Sequence, residues 1–303
     1  MSTTLARVMT LSTCLVLQTL QTQAVAGEKA RTLYSIDPTH SSIEFTVPFM
    51  GIARVSGSFN QFYGTVEHGE ENLNESSAEV VIRVASIDTR FASRDNDLRS
   101  EKYFDVERFP VMVFRSKEIE AREGGPVLIG DLMIRDTTRK VELPFSILGT
   151  LESEGGREMG AEATTSFDRR EFGISRGQFS GDQVFIGNEV TINIMLRLRE
   201  PSAEKKQMAT DHPALIIEDN RLRSFVGHYR DDDQDQELSV HFLAGELSLE
   251  RGGKLLRMIP IGEAEFRLQD FAAFVSFDTE GTRPTLLWER PGRDSQTYFA
   301  KPD

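Results

Sequence analysis

Apolar and polar residues alternate with a period of two along most of the chain after residue 30. The longest run holds apolar residues at every second position: Val190, Ile192, Ile194, Leu196 and Leu198. Shorter runs of the same kind lie within residues 43–47, 80–84, 111–113 and 141–147. This period places apolar side chains on one face of a β-strand and polar side chains on the other. The pattern therefore predicts a succession of half-buried strands.

The segments between these runs are short and turn-like, with glycine, asparagine or acidic residues at 70–72, 123–126 and 154–156. Strands joined by short polar turns favour an antiparallel sandwich or barrel. The polar residues 93–100 depart from the period, and Ser93 is a candidate N-cap for a short helix there. The predicted fold class is all-β with one short helical insert.

A polar segment separates two β-rich blocks. Residues 201–213 include Lys205-Lys206 and few β-branched residues, which indicates a linker or a short helix. Alternation resumes at about residue 214. We therefore predict one domain over 31–200, a linker over 201–213 and a smaller all-β domain over 214–303.

The net charge of −13 narrows the classes of partner. Neutralising phosphates requires a basic face, so the acidic balance argues against nucleic acid and against an anionic membrane surface. The single cysteine excludes a disulfide framework or a cysteine-rich metal site within the chain. The histidines at 40, 68, 212, 228 and 241 show no metal-ligand spacing, so we predict neither a metal nor a cofactor.

The first 26 residues differ in character from the rest. Arg7 is their only charged residue, an apolar stretch covers 8–20, and Ala24-Val25-Ala26 provides small residues for cleavage after Ala26. This pattern predicts a secretory signal peptide and a periplasmic or otherwise extracytoplasmic protein, the alternative being an N-terminal amphipathic helix. The stretch is too short and polar to span a bilayer, and no later segment resembles a span. Thr13 is large for the residue before a lipidated cysteine, which argues against lipidation of Cys14.

A series of short motifs runs in order through residues 33–199. They are Asp37-Pro38-Thr39-His40-Ser41, Gly57-Ser58-Phe59, Ala85-Ser86-Ile87-Asp88-Thr89, Arg94-Asp95-Asn96-Asp97-Leu98-Arg99-Ser100, Phe104-Asp105, Phe109-Pro110, Gly130-Asp131-Leu132, Thr138-Arg139 and Asp168-Arg169-Arg170. With these motifs the first block resembles the YceI family of exported proteins. The resemblance implies an eight-stranded lipocalin-like barrel that binds an isoprenoid or a similar amphiphilic lipid inside it.

The first block is rich in phenylalanine, and the chain has 20 Phe against five Tyr and one Trp. Phenylalanine lines apolar space without a polar atom that needs a partner. An eight-stranded barrel is just wide enough to hold one small ligand, so these rings either line a cavity or fill a solid core. The candidate lining residues are Phe45, Phe59, Phe62, Phe91, Phe104, Phe109 and Phe114.

For the polar residues near the predicted barrel mouth, the sequence allows either a ligand-binding role or a structural role. His40 either bonds a ligand head group or fixes a turn by a structural hydrogen bond. Arg94 and Arg99 either hold a head group through a guanidinium fork or form an Arg–Asp network that closes the barrel end. Asp95, Asp168 and Arg169 are further candidate head-group residues at the mouth. In the alternative, they and Asp97 are the residues expected in that network.

The chain departs from the usual family pattern at two positions. Asp97 and Phe49 stand where the family often has histidine. With Asp95 close to Asp97, the predicted mouth would repel a pyrophosphate. A quinone, a free isoprenoid or a fatty amide therefore suits this protein better.

Two motifs suggest other chemistry, and neither is complete. Residues 173–177 match G-x-S-x-G, but that motif needs a helix after the serine, and none is predicted after Ser175. The acidic residues 231–235 begin like a calcium loop, but Gln236 and Phe242 replace the required Gly and Glu, so a solvated hairpin turn is predicted.

The second block is similar to the small all-β domain often appended to β-lactamase-like serine hydrolases. The resemblance covers residues 221–287 and is carried by Phe225-Val226-Gly227-His228-Tyr229, Leu238-Ser239-Val240, Gly245-Glu246-Leu247 and Phe274-Val275-Ser276-Phe277. It implies another lipocalin-like sheet without assigned chemistry. A lid, a homodimer contact, a separate ligand site and a passive appendage all remain open.

The sequence as a whole predicts an exported, non-enzymatic protein that carries an isoprenoid-like lipid in its first barrel. The alternative is a stress-protection or interaction module with a filled barrel. The third hypothesis is a serine hydrolase that uses Ser175.

Overall fold

The computed structural model describes residues 31–153, 155–176, 179–180, 183–184, 186–269, 271–279, 281 and 283–301. The predicted signal peptide and Cys14 lie outside these residues, as does Gly177 of the G-x-S-x-G motif. The described chain forms two antiparallel β-barrels, which confirms the predicted all-β fold class.

The first barrel is built from the following strands: β1 (Arg31–Ile36), β2 (Ser42–Phe49), β3 (Ala53–Phe59), β4 (Phe62–Gly69), β5 (Ser77–Arg83), β6 (Ile87–Asp88), β7 (Val111–Arg122), β8 (Gly125–Ile134), β9 (Thr137–Ser153), β10 (Gly156–Asp168) and β13 (Glu189–Arg199). A small separate hairpin consists of β11 (Phe179–Ser180) and β12 (Gln183–Val184). Short 3-10 helices cover Leu73–Glu75, Val84–Ser86 and Arg169–Phe172.

Three pairs of consecutive strands behave as single bent strands around this barrel. The strand order is β1-β4-β5-β7-β8-β9-β10-β13, and β13 pairs back with β1 to close the ring. Strands β2, β3 and β6 continue β1, β4 and β5 beyond their breaks and extend the sheet from β13. The result is the closed eight-strand barrel that the family resemblance implied.

The predicted helical insert is present as α1 (Ala92–Arg99). The prediction of Ser93 as its N-cap was wrong, because the helix begins earlier and its N-cap residue is Phe91, without a side-chain cap hydrogen bond. Asp95, in the first turn, accepts hydrogen bonds from the amide (2.9 Å) and the hydroxyl (2.5 Å) of Thr89, which tie the helix to the end of β6.

Two short helices lead into the second barrel. The polar residues after β13 form α2 (Ala203–Asp211), whose N-cap Ser202 accepts from the amide of Lys205, and α3 (Asp219–Arg223) follows. The second barrel is a closed meander of β14 (Gly227–Asp231), β15 (Gln236–Leu243), β16 (Glu246–Arg251), β17 (Lys254–Pro260), β18 (Glu265–Leu268), β19 (Phe274–Asp278), β20 (Thr285–Glu289) and β21 (Gln296–Ala300). Its core is a buried cluster that includes Phe266 and Trp288 from the strands and Phe225 from the segment between α3 and β14.

The second barrel packs on the outer face of the first. A buried apolar cluster joins the two, made of Tyr63, Val81, Val111, Val113, Leu243 and Leu255. The sequence pattern predicted that the side chains of Val111 and Val113 face the barrel interior. In the structure, Met112 and Phe114 face the interior instead. Both faces of this part of β7 are apolar because the second barrel covers the outer one.

Polar contacts reinforce this interface. Ser248 donates a hydrogen bond to the hydroxyl of Tyr63 (3.2 Å), and burial raises the pKa of Tyr63 to about 12. Gln61 donates to Glu250 (2.8 Å), which also pairs with Arg83 of β5. Among the described residues, no helix is long and apolar enough to cross a membrane.

Candidate functional site

The first barrel is hollow. A cavity of about 530 Å³ lies inside it, and apolar side chains line it from β4, β5, β7, β8, β9, β10 and β13 of the ring and from β2, β3 and β6. The alternating apolar face of β13 lines one side of this space: Val190, Ile192, Ile194, Leu196 and Leu198. The two-residue period of the sequence therefore marks the face that borders the cavity, and the alternative of a solid core does not describe this barrel.

Most of the predicted phenylalanines border the cavity. Those on its wall are Phe45, Phe59, Phe91, Phe104 and Phe114. The rings of Phe45 and Phe59 lie 5.6 Å apart, and Phe104 meets Phe59 edge-on at 6.1 Å. Such arrangements are favourable for aromatic pairs and hold the wall rings in fixed positions.

The structure places two of the predicted rings elsewhere. Phe62 is buried in the core of the barrel but is not part of the cavity wall. Phe109 lies between guanidinium groups, with Arg108 at 4.9 Å and Arg135 at 5.6 Å from its ring centre. Sequence reasoning passed over four wall phenylalanines, namely Phe49, Phe145, Phe167 and Phe172. The alternation in 141–147 is the signal that could have identified Phe145.

One end of the cavity opens beside α1. Phe91, Ser93 and Asp97 border the cavity there and are exposed to solvent. Arg94 also borders it, and its guanidinium donates to the hydroxyl (2.7 Å) and the carbonyl (2.9 Å) of Thr89. The mouth therefore presents one fixed cation beside one exposed carboxylate.

Asp95 and Arg99 do not border the cavity. The carboxylate of Asp95 is buried against Thr89. The guanidinium of Arg99 donates to the carbonyl oxygens of Ala85 (2.8 Å) and Ile87 (2.7 Å), which fastens α1 to the 3-10 turn before β6. The expected Arg–Asp network is replaced here by bonds to main-chain oxygens.

Arg169 is the buried cation of this barrel end. Its guanidinium donates to four carbonyl oxygens, those of Gly187, Ile174, Arg176 and Ile186, at 2.8–3.2 Å. The side chain also borders the cavity, and burial lowers its pKa. Because its donors are used by the chain itself, Arg169 holds together the segments on either side of the β11–β12 hairpin.

Asp168 bonds the neighbouring Arg170 and does not border the cavity. Its carboxylate accepts from the amide and the guanidinium of Arg170, and the bond to that guanidinium holds the pKa of Asp168 below its usual range. His40 lies at the bend between β1 and β2, where its Nδ1 is 2.9 Å from Asp37 and 3.0 Å from Arg197. Neither Asp168 nor His40 borders the cavity.

The wall of the barrel is interrupted between β9 and β10. These strands pair from Gly156↔Ser153 only as far as Ala163↔Phe145, although both continue beyond that point. The next residue of β9 is Pro144, which has no amide hydrogen to donate to a ladder. Beyond it, the hydroxyl of Thr165 reaches across to the carbonyl of Glu142 (2.7 Å). We call this gap, between residues 137–144 and 164–168, the seam.

The described part of the serine motif and the acidic run of the sequence both lie in turns. Ser175 is exposed and follows a 3-10 helix and Gly173, whose φ is +73°. The acidic residues 231–235 form the turn of the β14–β15 hairpin, as predicted. Among the described residues, no group of three or more His, Cys, Asp or Glu side chains is arranged to hold a metal ion.

Comparison with known proteins identifies relatives of the first barrel. A UPF0312 protein of Yersinia enterocolitica is 33% identical over 153 residues, which cover 50% of this chain and 80% of that protein. A UPF0312 protein of Yersinia pestis is 32% identical with the same coverage.

Three solved structures resemble this barrel. The crystal structure of Burkholderia cenocepacia BcnA aligns at 21% identity with a TM-score of 0.48, covering 54% of this chain and 98% of that one. A Campylobacter jejuni YCEI protein aligns at 21% identity with a TM-score of 0.44, covering 50% and 88%. A polyisoprenoid binding domain from Saccharophagus degradans aligns at 14% identity with a TM-score of 0.42, covering 55% and 98%.

The family assignment itself rests on sequence. Residues 34–198, more than half of the chain, match the YceI-like domain family. The matched segment begins in β1 and ends in β13, so it corresponds to the complete hollow barrel. This protein therefore belongs to the YceI-like family.

Proposed function

We propose that this protein binds and carries an amphiphile with one long apolar chain, held in the first barrel without chemical change. The observation that carries the proposal is the cavity of about 530 Å³, whose wall is almost entirely aliphatic and aromatic. Small-molecule binding sites in proteins commonly have volumes of roughly 300–1,000 Å³, so this cavity is large enough for one ligand. Removing a chain from water contributes about 0.8 kcal/mol for each buried CH₂, so an apolar cavity of this size favours a prenyl-type tail.

The mouth beside α1 favours a weakly charged head group. Arg94 already donates to Thr89, and Asp97 adds a negative charge at the same opening. A pyrophosphate would meet that carboxylate, whereas a quinone, an alcohol or an amide would meet no repulsion. We therefore propose a neutral isoprenoid-like ligand, and we propose an extracytoplasmic location on the basis of the signal-like residues 1–26.

The test combines extraction and titration. Mass spectrometry of organic extracts of the purified protein should show a prenyl-type lipid in about equal amount to the protein. A dansyl-labelled farnesol should then bind the delipidated protein with saturation. Ala161→Phe places a ring in the cavity and should weaken that binding at least tenfold, since Ala161 borders the cavity. Ala53→Phe is the matched control, because Ala53 is exposed on β3.

The results separate this proposal from its alternatives. Equal binding by the two variants, or no saturable binding by the wild type and no extracted lipid, would refute the carrier. Export is tested separately: a fusion of residues 1–40 to a periplasm-dependent reporter should be active, and cleavage should be found after Ala26.

A further inference from the structure

The hairpin between β2 and β3 ends in two exposed apolar side chains. Met50 is 43% exposed and Ile52 is 89% exposed. Both lie in the turn of the hairpin, where the amide of Ile52 donates to the carbonyl of Phe49 (3.3 Å). Neither side chain borders the cavity, so contact with a ligand inside the barrel does not account for them. We call Met50 and Ile52 the tip.

The backbone of this turn is unfavourable for methionine. The φ angle of Met50 is +52°, and that of Gly51 is +69°. A residue with a Cβ is strained in this left-handed region, and hairpin turns with two positive φ values favour asparagine before glycine. The free protein therefore carries both backbone strain and exposed apolar surface at the tip. An observed strain of this kind is grounds for a functional hypothesis.

The tip lies at the open end of the cavity. Strands β3 and β6 pair antiparallel at Ser58↔Asp88, so the chain that leaves β6 runs back toward the tip. This course brings Phe91, which is 59% exposed, to the same end of the barrel. Phe91 borders the cavity, as do Phe49 and Val55 from the two strands of the hairpin. The tip and Phe91 are therefore both at the mouth through which a ligand would pass.

Exposed arginines lie just behind these apolar side chains. Arg54 follows Ile52 by two residues on β3, Arg90 directly precedes Phe91, and both arginines are exposed. Among the described residues, neither guanidinium takes part in an ion pair. Two residues of a strand span about 7 Å. Apolar side chains of peripheral proteins enter the headgroup region of a bilayer by about 5–10 Å, so cations at this distance match the level of the lipid phosphates.

We propose that the tip and Phe91 dock the mouth of the first barrel on a zwitterionic phospholipid bilayer, with Arg54 and Arg90 against the lipid phosphates. This inference rests on the proposed function and adds the surface from which the ligand is drawn. Because the bilayer and the cavity both shield an apolar tail from water, docking lets the tail pass between them with little exposure. The net charge of −13 and the carboxylate of Asp97 at the mouth oppose an anionic surface, so the bilayer is a zwitterionic one.

A fluorescent label tests the docking without any ligand, in the full chain with Cys14→Ser as background. Ile52→Cys and Ile216→Cys are each labelled with nitrobenzoxadiazole and mixed with vesicles of phosphatidylcholine and phosphatidylethanolamine. Ile216, between α2 and α3, is fully exposed and provides the matched control. The label at position 52 should become brighter and blue-shifted, and spin-labelled lipid should quench it. The label at position 216 should not change.

A second experiment measures delivery of the ligand. Met50→Asn with Ile52→Ser removes the apolar tip, and asparagine suits the positive φ, so the fold should be retained. Transfer of dansyl-farnesol from vesicles to this tip variant should slow about tenfold, because less apolar area enters the bilayer. The Kd for dansyl-farnesol without vesicles should change less than about twofold, since the tip does not border the cavity. Leu215→Ser with Ile216→Ser, at exposed sites, is the control and should leave the transfer rate unchanged.

Three results would overturn the docking. The first is a label at position 52 that does not respond to vesicles. The second is a transfer rate that is equal in the tip variant and its control. The third is a wild type that sediments as a dimer while the tip variant sediments as a monomer, which would assign this surface to a second copy of the chain. Failure of the proposed function looks different, since the protein would then show no saturable binding of dansyl-farnesol without vesicles.

Discussion

Arg83 of the first barrel donates a hydrogen bond to Glu250 of the second. The two side chains are 22% and 24% exposed, so the pair is largely screened from water. Gln61 donates to the other carboxylate oxygen (2.8 Å), and His241 lies 3.0 Å from the first. Glu250 is therefore the point at which charges from both barrels meet, and it makes the interface testable.

Replacing Arg83 should loosen the second barrel. Arg83→Met leaves a partly buried carboxylate short of its charged donor, and we expect it to lower the free energy of unfolding by about 2 kcal/mol. Trp288 is the only tryptophan and lies in the second barrel, so its fluorescence in denaturant reports on that barrel. Arg115→Met removes an exposed pair with Glu79 and should cost at most about 1 kcal/mol. Equal losses in the two variants would contradict the assigned role.

The same cluster should make the interface sensitive to acid. Burial lowers the pKa of His241 below 6.5, against the opposing effect of Glu250. The unfolded state then binds the proton more readily, so stability is lost as pH falls below about 6.5.

Glu250 extends this loss to lower pH. Burial acts to raise its pKa, but the bonds from Gln61, His241 and Arg83 outweigh burial and hold it below 4.5. Its stabilisation is present above pH 4.5 and disappears as pH falls through the lowered value. His241→Gln should flatten the stability profile just below pH 6.5, measured by Trp288 fluorescence, and leave the decline below pH 4.5 that Glu250 causes.

A methyl group at Gly57 should disturb the cavity wall. An added Cβ would lie 2.5 Å from the ring of Phe45 and 2.8 Å from Thr89. Because overpacking forces neighbours off their positions, we expect Gly57→Ala to cost about 1–3 kcal/mol and to weaken dansyl-farnesol binding. At Gly124 nothing lies within 4 Å of the added atom, so Gly124→Ala is the matched control. Thermal unfolding and titration that do not distinguish the two variants would contradict this.

Arg169 should be intolerant even of lysine. A lysine ammonium cannot reproduce the planar fork that reaches carbonyls on several segments. We expect Arg169→Lys to lower the free energy of unfolding by about 3 kcal/mol, through carbonyls left unpaired. Arg170→Lys, whose parent side chain is exposed and bonds the nearby Asp168, should lose less than about 1 kcal/mol. Denaturant unfolding of both proteins gives the comparison.

Periodicity alone identified several of the strands of the first barrel and, in most of them, the inward face. The run from Val190 to Leu198 lines the cavity as its spacing predicts. Spacing failed at Val111 and Val113, because an apolar residue on either face of a strand looks the same until a covering domain is known. Spacing also could not show that Phe114 borders the cavity and Phe62 does not, since the curvature of the closed sheet decides which rings border it.

The polar residues were harder to place. The sequence contains the arginines and aspartates of the barrel end and predicted that they pair. In the structure, Arg94 donates to the carbonyl of Thr89, and Arg99 donates to the carbonyls of Ala85 and Ile87. Main-chain oxygens are present at every residue and carry no sequence signal, so such partners emerge only when loops meet. Local residue chemistry thus determined the all-β fold, the apolar inner face and the ladder-breaking Pro144. Strand closure, a long-range event, decided that the barrel is hollow, where it opens and which charges join the two barrels.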